Sequence, residues 1–175
     1  MTDRWDLLAV EARTAGFLPL EARRYLLPDG TEAVWDIFGV ARTVAVVAVT
    51  DADEVVLARQ FRPGPGLVLD ELPGGVVDDG EDVLTAAARE LREETGYVGD
   101  LELAGSTWLA AASQTIRFIA VARHARPEGG PRNQPGEFCE VVRIGLAAFR
   151  DHLRAGQLTD VDLGYLALDH LDLLR

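Results

Sequence analysis

Three carboxylates crowd into five residues of this chain, at Glu90, Glu93 and Glu94, within the segment GGVVDDGEDVLTAAARELREETGYVGD that runs from Gly74 to Asp100. Like charges three and four apart on a helix repel one another. At about 100° per residue, a helix over Asp82–Thr95 places Leu84, Ala87, Ala88 and Leu91 in one stripe toward the core. The three Glu fall in a neighbouring arc about 100° wide, beside the buried stripe. Gly96 stands where a left-handed C-cap belongs. A solvated acidic face, partly paired by Arg89 and Arg92, is one reading of such an arc. The other is a site in which a cation offsets the repulsion. Oxygen donors without His or Cys select a hard ion, Mg²⁺ or Mn²⁺.

The whole chain bounds what such a site can serve. Its 175 residues are enough for one domain with a sizeable core. The net charge of −12 argues against a nucleic-acid or anionic-membrane partner, which a basic face would have to attract. No apolar run approaches the length of a membrane helix, and the start MTDRWDLLAVEAR is charged too early for a secretory signal. Cys139 is the single cysteine, so no internal disulfide forms and a reducing cytoplasm fits. All 17 basic residues are Arg, a pattern read here as the coding bias of a GC-rich bacterial genome. An anionic ligand must therefore be held by Arg, His, backbone N–H groups or a metal.

The elements that would position the carboxylates can be read from periodicity and punctuation. Thr2–Ala15 reads as a short helix or a loose lead-in. Leu20–Leu27 and Glu32–Phe38 read as strands about a turn at Pro28-Asp29-Gly30. TVAVVAV at Thr43–Val49 reads as a buried strand, followed by strands at Val55–Arg62 and Leu67–Leu72 around the loop Pro63-Gly64-Pro65-Gly66. Beyond the acidic helix come strands at Leu101–Leu109, Thr115–Arg123 and Cys139–Ile144, with a long loop over His124–Gly136. Helices at Leu146–Leu153 and Val161–Leu174 follow, the last capped by Asp160. The expected class is α+β, a mixed sheet with few helices packed on it.

The spacing sharpens the chemistry. Gly75, five residues, Glu81, seven residues, then Arg89-Glu90-Leu91-Arg92-Glu93-Glu94-Thr95-Gly96-Tyr97 resembles the box of the Nudix hydrolases at every charged and glycine position. Tyr97, where an aliphatic residue is usual, is the one soft match. The resemblance implies the Nudix fold, a mixed β-sheet sandwiched between helices, and Mg²⁺-assisted attack of water on a nucleoside diphosphate linked to another group. It implies that Glu90, Glu93, Glu94 and the Gly74 carbonyl ligate metal, and that Arg89 orients a box carboxylate.

LPDG (Leu27–Gly30), VVLARQFRPG (Val55–Gly64), ELPGG (Glu71–Gly75) and EETGY (Glu93–Tyr97) further resemble the ADP-ribose pyrophosphatase group. That resemblance implies an antiparallel N-terminal strand extension over residues 1–40, serving dimerisation and base binding, before a hydrolase domain over 41–175. It implies a homodimer, adenine held by Phe17 and Trp35, substrate phosphate held by Arg62, and cleavage of ADP-ribose. GEFCEVVRI resembles the segment that carries the group's metal-binding or water-activating Glu, which makes Glu137 the candidate and Glu140 the second. Packing is the plainer role for the two aromatics, and a surface ion pair for Arg62.

The chain departs from the group in one place. The group has a Ser-Pro-Gly turn and an acidic residue after the box. Here the region reads STWLAAASQTIRF, without proline from Val98 to Arg126. Another nucleoside diphosphate sugar, such as GDP-mannose, is the alternative substrate. A non-catalytic nucleotide-sugar sensor is the rival class, but it would be expected to lose box carboxylates.

Overall fold

Residues 6–15, 18–132 and 138–174 are described by a computed structural model. The chain divides into two compact units, one of Met1–Ala41 with Trp108–Ile116 and one of Arg42–Thr107 with Arg117–Arg175.

In the first unit β1 (Asp6–Ala15), β2 (Leu18–Leu26) and β3 (Glu32–Phe38) form a three-stranded antiparallel sheet in that order. The β2–β3 turn follows from its residues. Gly30 takes φ +84°, and Asp29 Oδ1 accepts from the Thr31 amide at 2.9 Å and its hydroxyl at 2.6 Å. The helix or loose lead-in expected before Ala15 is instead β1, laddered along β2 from Ala15↔Leu18 to Asp6↔Leu26. DLLAVEARTA has no strong preference of its own, and the cross-strand partner decides. The Trp108–Ile116 segment closes on β3 and the residues just after it: the Ser113 hydroxyl donates to the Phe38 carbonyl at 3.0 Å, and the Thr115 hydroxyl to the Val40 carbonyl at 2.6 Å.

The second unit is built on a seven-stranded sheet. Its path runs β10 (Glu140–Gly145), β5 (Glu54–Arg62), β4 (Arg42–Val49), β9 (Ile116–Pro127), β8 (Tyr97–Trp108). β6 (Leu67–Glu71) adds to β5 and β7 (Gly74–Val76) to β4. β4 is buried on both faces, and its period of two sorts its side chains. Val44, Val46 and Ala48 pack with Ala86, Ala87 and Leu91 of α1 (Val83–Thr95). Ala45 and Val47 pack with Phe149 and Leu153 of α2 (Leu146–Ala155) and Leu163 and Leu168 of α3 (Val161–His170). The sheet thus lies between α1 on one face and α2 with α3 on the other, as expected for a Nudix fold.

α1 is delimited by its ends. The Asp82 carboxylate accepts from the amides of Leu84 (3.0 Å) and Thr85 (3.1 Å), and Gly96 closes the helix at φ +72°. Its apolar stripe is rotated slightly from expectation: Ala86 is buried and Ala88 exposed. Asp160 makes no side-chain cap on α3. It turns to Arg117 Nη1 at 3.0 Å, where a fixed charge offers more than a backbone amide. α3 ends at His170, short of the expected Leu174. No helix among the described residues is long and apolar enough to cross a membrane.

Candidate active site

The backbone before α1 and the side chains on α1 meet at the glycine pair. β7 runs antiparallel to β4, pairing Gly74 with Ala45 and Gly75 with Val44. A Cβ on Gly75 would lie 2.4 Å from Glu90 Oε1, and one on Gly74 would lie 2.3 Å from the Val44 carbonyl oxygen. The pair therefore lets β7 lie against β4 and leaves room for a carboxylate directly over the turn.

Arg89 organises one side of this site. Its Nε and Nη2 each donate to Glu81 at 3.1 Å, Nη1 donates to Glu90 Oε1 at 2.7 Å, and Nη2 also donates to the Val76 carbonyl at 3.0 Å. Glu93 Oε2 lies 3.6 Å from Nη1. The Glu81 hydrogen bond drives the guanidinium further above its ordinary value, and the Arg89 hydrogen bond holds Glu81 below the usual carboxylate range. Glu81 precedes the cap residue and is engaged as Arg89's bidentate partner.

Glu94 occupies the dry side. It is buried, its Oε2 accepts the Gly74 amide at 2.9 Å, and its Oε1 accepts Gln60 Nε2 at 3.3 Å. The Cys139 thiol lies 3.9 Å from Oε1. Burial pushes this carboxyl up to about 7 against the opposing pull of the Gly74 amide, with Glu90 raising it and Arg62 lowering it. Arg62, at the end of β5, has its Nε 3.5 Å from Glu71 Oε1.

Around Gly74 and Gly75 the structure thus gathers Glu90, Glu94 and Arg89, with Glu93 at Arg89's edge. Trp35 is exposed on β3, where its Cα pairs with Arg23. Glu140 opens β10 and pairs with Arg59. Phe17 and Glu137 lie outside the described residues. Gln60 and Cys139 were not anticipated. Gln60 was available to inspection, since it lies two residues before Arg62 on one strand; nothing marks Cys139. Beside the site a cleft of about 410 Å³ is lined by Thr85, Ala88, Arg89, Arg92, Glu93 and Arg132.

Among the described residues no three His, Cys, Asp or Glu side chains stand together as a metal-holding group. The box carboxylates are held by the protein itself, Glu90 by Arg89 and Glu94 by the Gly74 amide. The donor chemistry nonetheless fits a hard divalent ion: Glu90 and Glu94 offer only oxygens, and the space over Gly75 is kept open for one of them.

Comparison with known proteins bears on this geometry. The model of the Nudix domain matches residues 39–160, and the chain belongs to the Nudix hydrolase family. Nudix hydrolases generally use a divalent metal ion. The chain is 36% identical over 164 residues to the ADP-ribose pyrophosphatase of Saccharomyces cerevisiae, covering 82% of this chain and 70% of that protein. It is 39% identical over 150 residues to the ADP-ribose pyrophosphatase of Bacillus subtilis, covering 84% and 80%. Among solved structures, one titled as an ADP compounds hydrolase superposes with a TM-score of 0.81 at 26% identity, covering 97% of this chain and 95% of the other.

Proposed function

We propose that the protein hydrolyses the pyrophosphate bond of a nucleoside diphosphate sugar, with ADP-ribose as the first substrate to test. The observation that carries this reading is Glu90 and Glu94 meeting at an open glycine pair, in a chain whose relatives are ADP-ribose pyrophosphatases. Water oxygen bonds to one phosphorus, the bridging P–O bond breaks, and the bridging oxygen leaves on the other phosphate. The water's proton goes to a carboxylate. With ADP-ribose the products are AMP and ribose 5-phosphate.

Glu90, Glu93, Glu94 and the Gly74 carbonyl are the ligands we assign to Mg²⁺, with Mn²⁺ as the substitute. A bound divalent ion neutralises diphosphate charge and makes water a better nucleophile. Arg89 holds Glu90 and restrains Glu93 by charge-assisted contacts. Glu137 is the base we assign, as a further metal ligand as well, with Glu140 second. Arg62 takes a substrate phosphate, and Phe17 and Trp35 stack on the base. Residues 1–40 serve base binding and pairing with a second copy in a homodimer. The single thiol supports a reducing cytoplasm.

The missing downstream proline favours one second reading, in which the sugar is not ribose and the substrate is another nucleoside diphosphate sugar such as GDP-mannose. The test is a panel of nucleoside diphosphate sugars with Mg²⁺, with mononucleotide release followed by chromatography. ADP-ribose turned over fastest, and only with metal, is the expected result. A preferred GDP-sugar would move the assignment to the second reading. Undiminished activity after exhaustive chelation would refute the metal mechanism.

A further inference from the structure

Glu71 at the end of β6 is fully buried, yet it is a carboxylate. Three of its contacts come from one residue. The Thr159 amide lies 3.0 Å and 3.2 Å from its two oxygens, and the Thr159 hydroxyl donates to Oε2 at 2.8 Å. Thr159 stands just before α3, 88 residues away in the chain. The fourth contact is Arg62 Nε, 3.5 Å from Oε1. That Nε is itself buried and has no hydrogen bond. The Arg62 side chain remains 30% exposed, so the guanidinium is rooted in the interior while part of the side chain reaches the surface.

A neutral side chain would pin Thr159 at less desolvation cost than a carboxylate. A charge at this position therefore calls for a charged counterpart, and among the described residues Arg62 supplies it. The neighbouring acid, Asp160, has its own cation in Arg117. Gln60, two residues before Arg62 and on the same face of β5, donates to Glu94 Oε1 at 3.3 Å, so the end of β5 that carries Arg62 borders the box. The end of β5 thus holds one guanidinium against a buried carboxylate and touches the box through Gln60.

We infer that Glu71 is the positioning residue for Arg62: anchored by Thr159, it fixes the guanidinium beside the box so that it meets the diphosphate of the substrate. The inference rests on the reading of Arg62 as a phosphate contact. It adds that Glu71 and Thr159, which do not touch substrate, control how well that contact is made.

The test is a double-mutant cycle on ADP-ribose hydrolysis with Mg²⁺, using Arg62→Ala, Glu71→Gln and the pair, with melting temperature measured alongside. Glu71→Gln keeps the shape and an acceptor for Thr159 but removes the charge. It should lower kcat/KM roughly tenfold to a hundredfold, mostly through KM, the range expected when the charged hydrogen bond from Arg62 to the substrate phosphate is lost. The double mutant should be no worse than Arg62→Ala alone. Thr159→Ala, a milder change for a case in which Glu71→Gln does not fold, should raise KM in the wild-type background and not in Arg62→Ala. If the losses multiply, or if Arg62→Ala is impaired while Glu71→Gln is not, the positioning role is overturned and the phosphate reading survives. Wild-type kinetics in Arg62→Ala would overturn both.

Discussion

Glu94 carries two demands that conflict. It is buried, so its neutral form is favoured, and it is assigned to a metal, which needs the carboxylate. Glu94→Gln keeps the shape and removes the charge; turnover should fall by several powers of ten with the circular dichroism spectrum unchanged, and activity within tenfold of wild type would dismiss it as a ligand. The same conflict sets a pH dependence. The folded carboxyl at about 7 lies above its unfolded value, so folding binds a proton. The stability this contributes is present below the unfolded value and is lost as pH rises through 7. The loss amounts to about 3 kcal/mol at most. In chelator, the melting temperature of wild type relative to Glu94→Gln should fall between pH 5 and pH 8. Mg²⁺ affinity should rise over the same interval, and a flat difference curve would show that Glu94 does not titrate there. The charges and glycines of the box were legible because their types and spacing are local. Glu71 was not, because its partner Thr159 is brought to it only by packing.

At the scale of elements, β7 and α1 make opposite predictions for adjacent glycines. A Cβ at Gly74 meets the backbone of β4, which cannot yield cheaply, so Gly74→Ala should lower the melting temperature. At Gly75 the clash is with the tip of Glu90, which can swing aside. Gly75→Ala should therefore melt near wild type yet lose activity, on the order of 10²-fold if the carboxylate is displaced by about 1 Å. Equal stability losses in the two variants would contradict the geometry. The strands of the large sheet were readable from their apolar runs, and α1 from its period and its glycine cap. β1 was not, since its residues carry no strand pattern that outweighs their helical tendency and β2 alone makes it a strand. Asp160 was misread for a related reason: a cap is a local inference, and Arg117 is a long-range competitor.

For the whole molecule the homodimer and the base site are one proposal with two measurements. Sedimentation should give a dimer at assay concentration. Trp35→Ala should raise KM far more than it lowers kcat, by a loss of about 1–3 kcal/mol, because stacking acts alike on bound substrate and transition state. An unchanged KM would return Trp35 to packing. The end of α1 has a further consequence. Carbonyls that a helix terminus ordinarily leaves to water are taken up by main-chain amides from the stretch after β9. Glu128 donates to the Gly96 carbonyl at 2.8 Å, Gly129 to the same oxygen at 3.2 Å, and Arg132 to the Glu93 carbonyl at 2.7 Å. Those three amides cannot meet deuterium until they leave the helix. They should therefore exchange at one shared rate and slow together when Mg²⁺ is added, so that the stretch from Glu128 to Arg132 and the box open as a single cooperative unit.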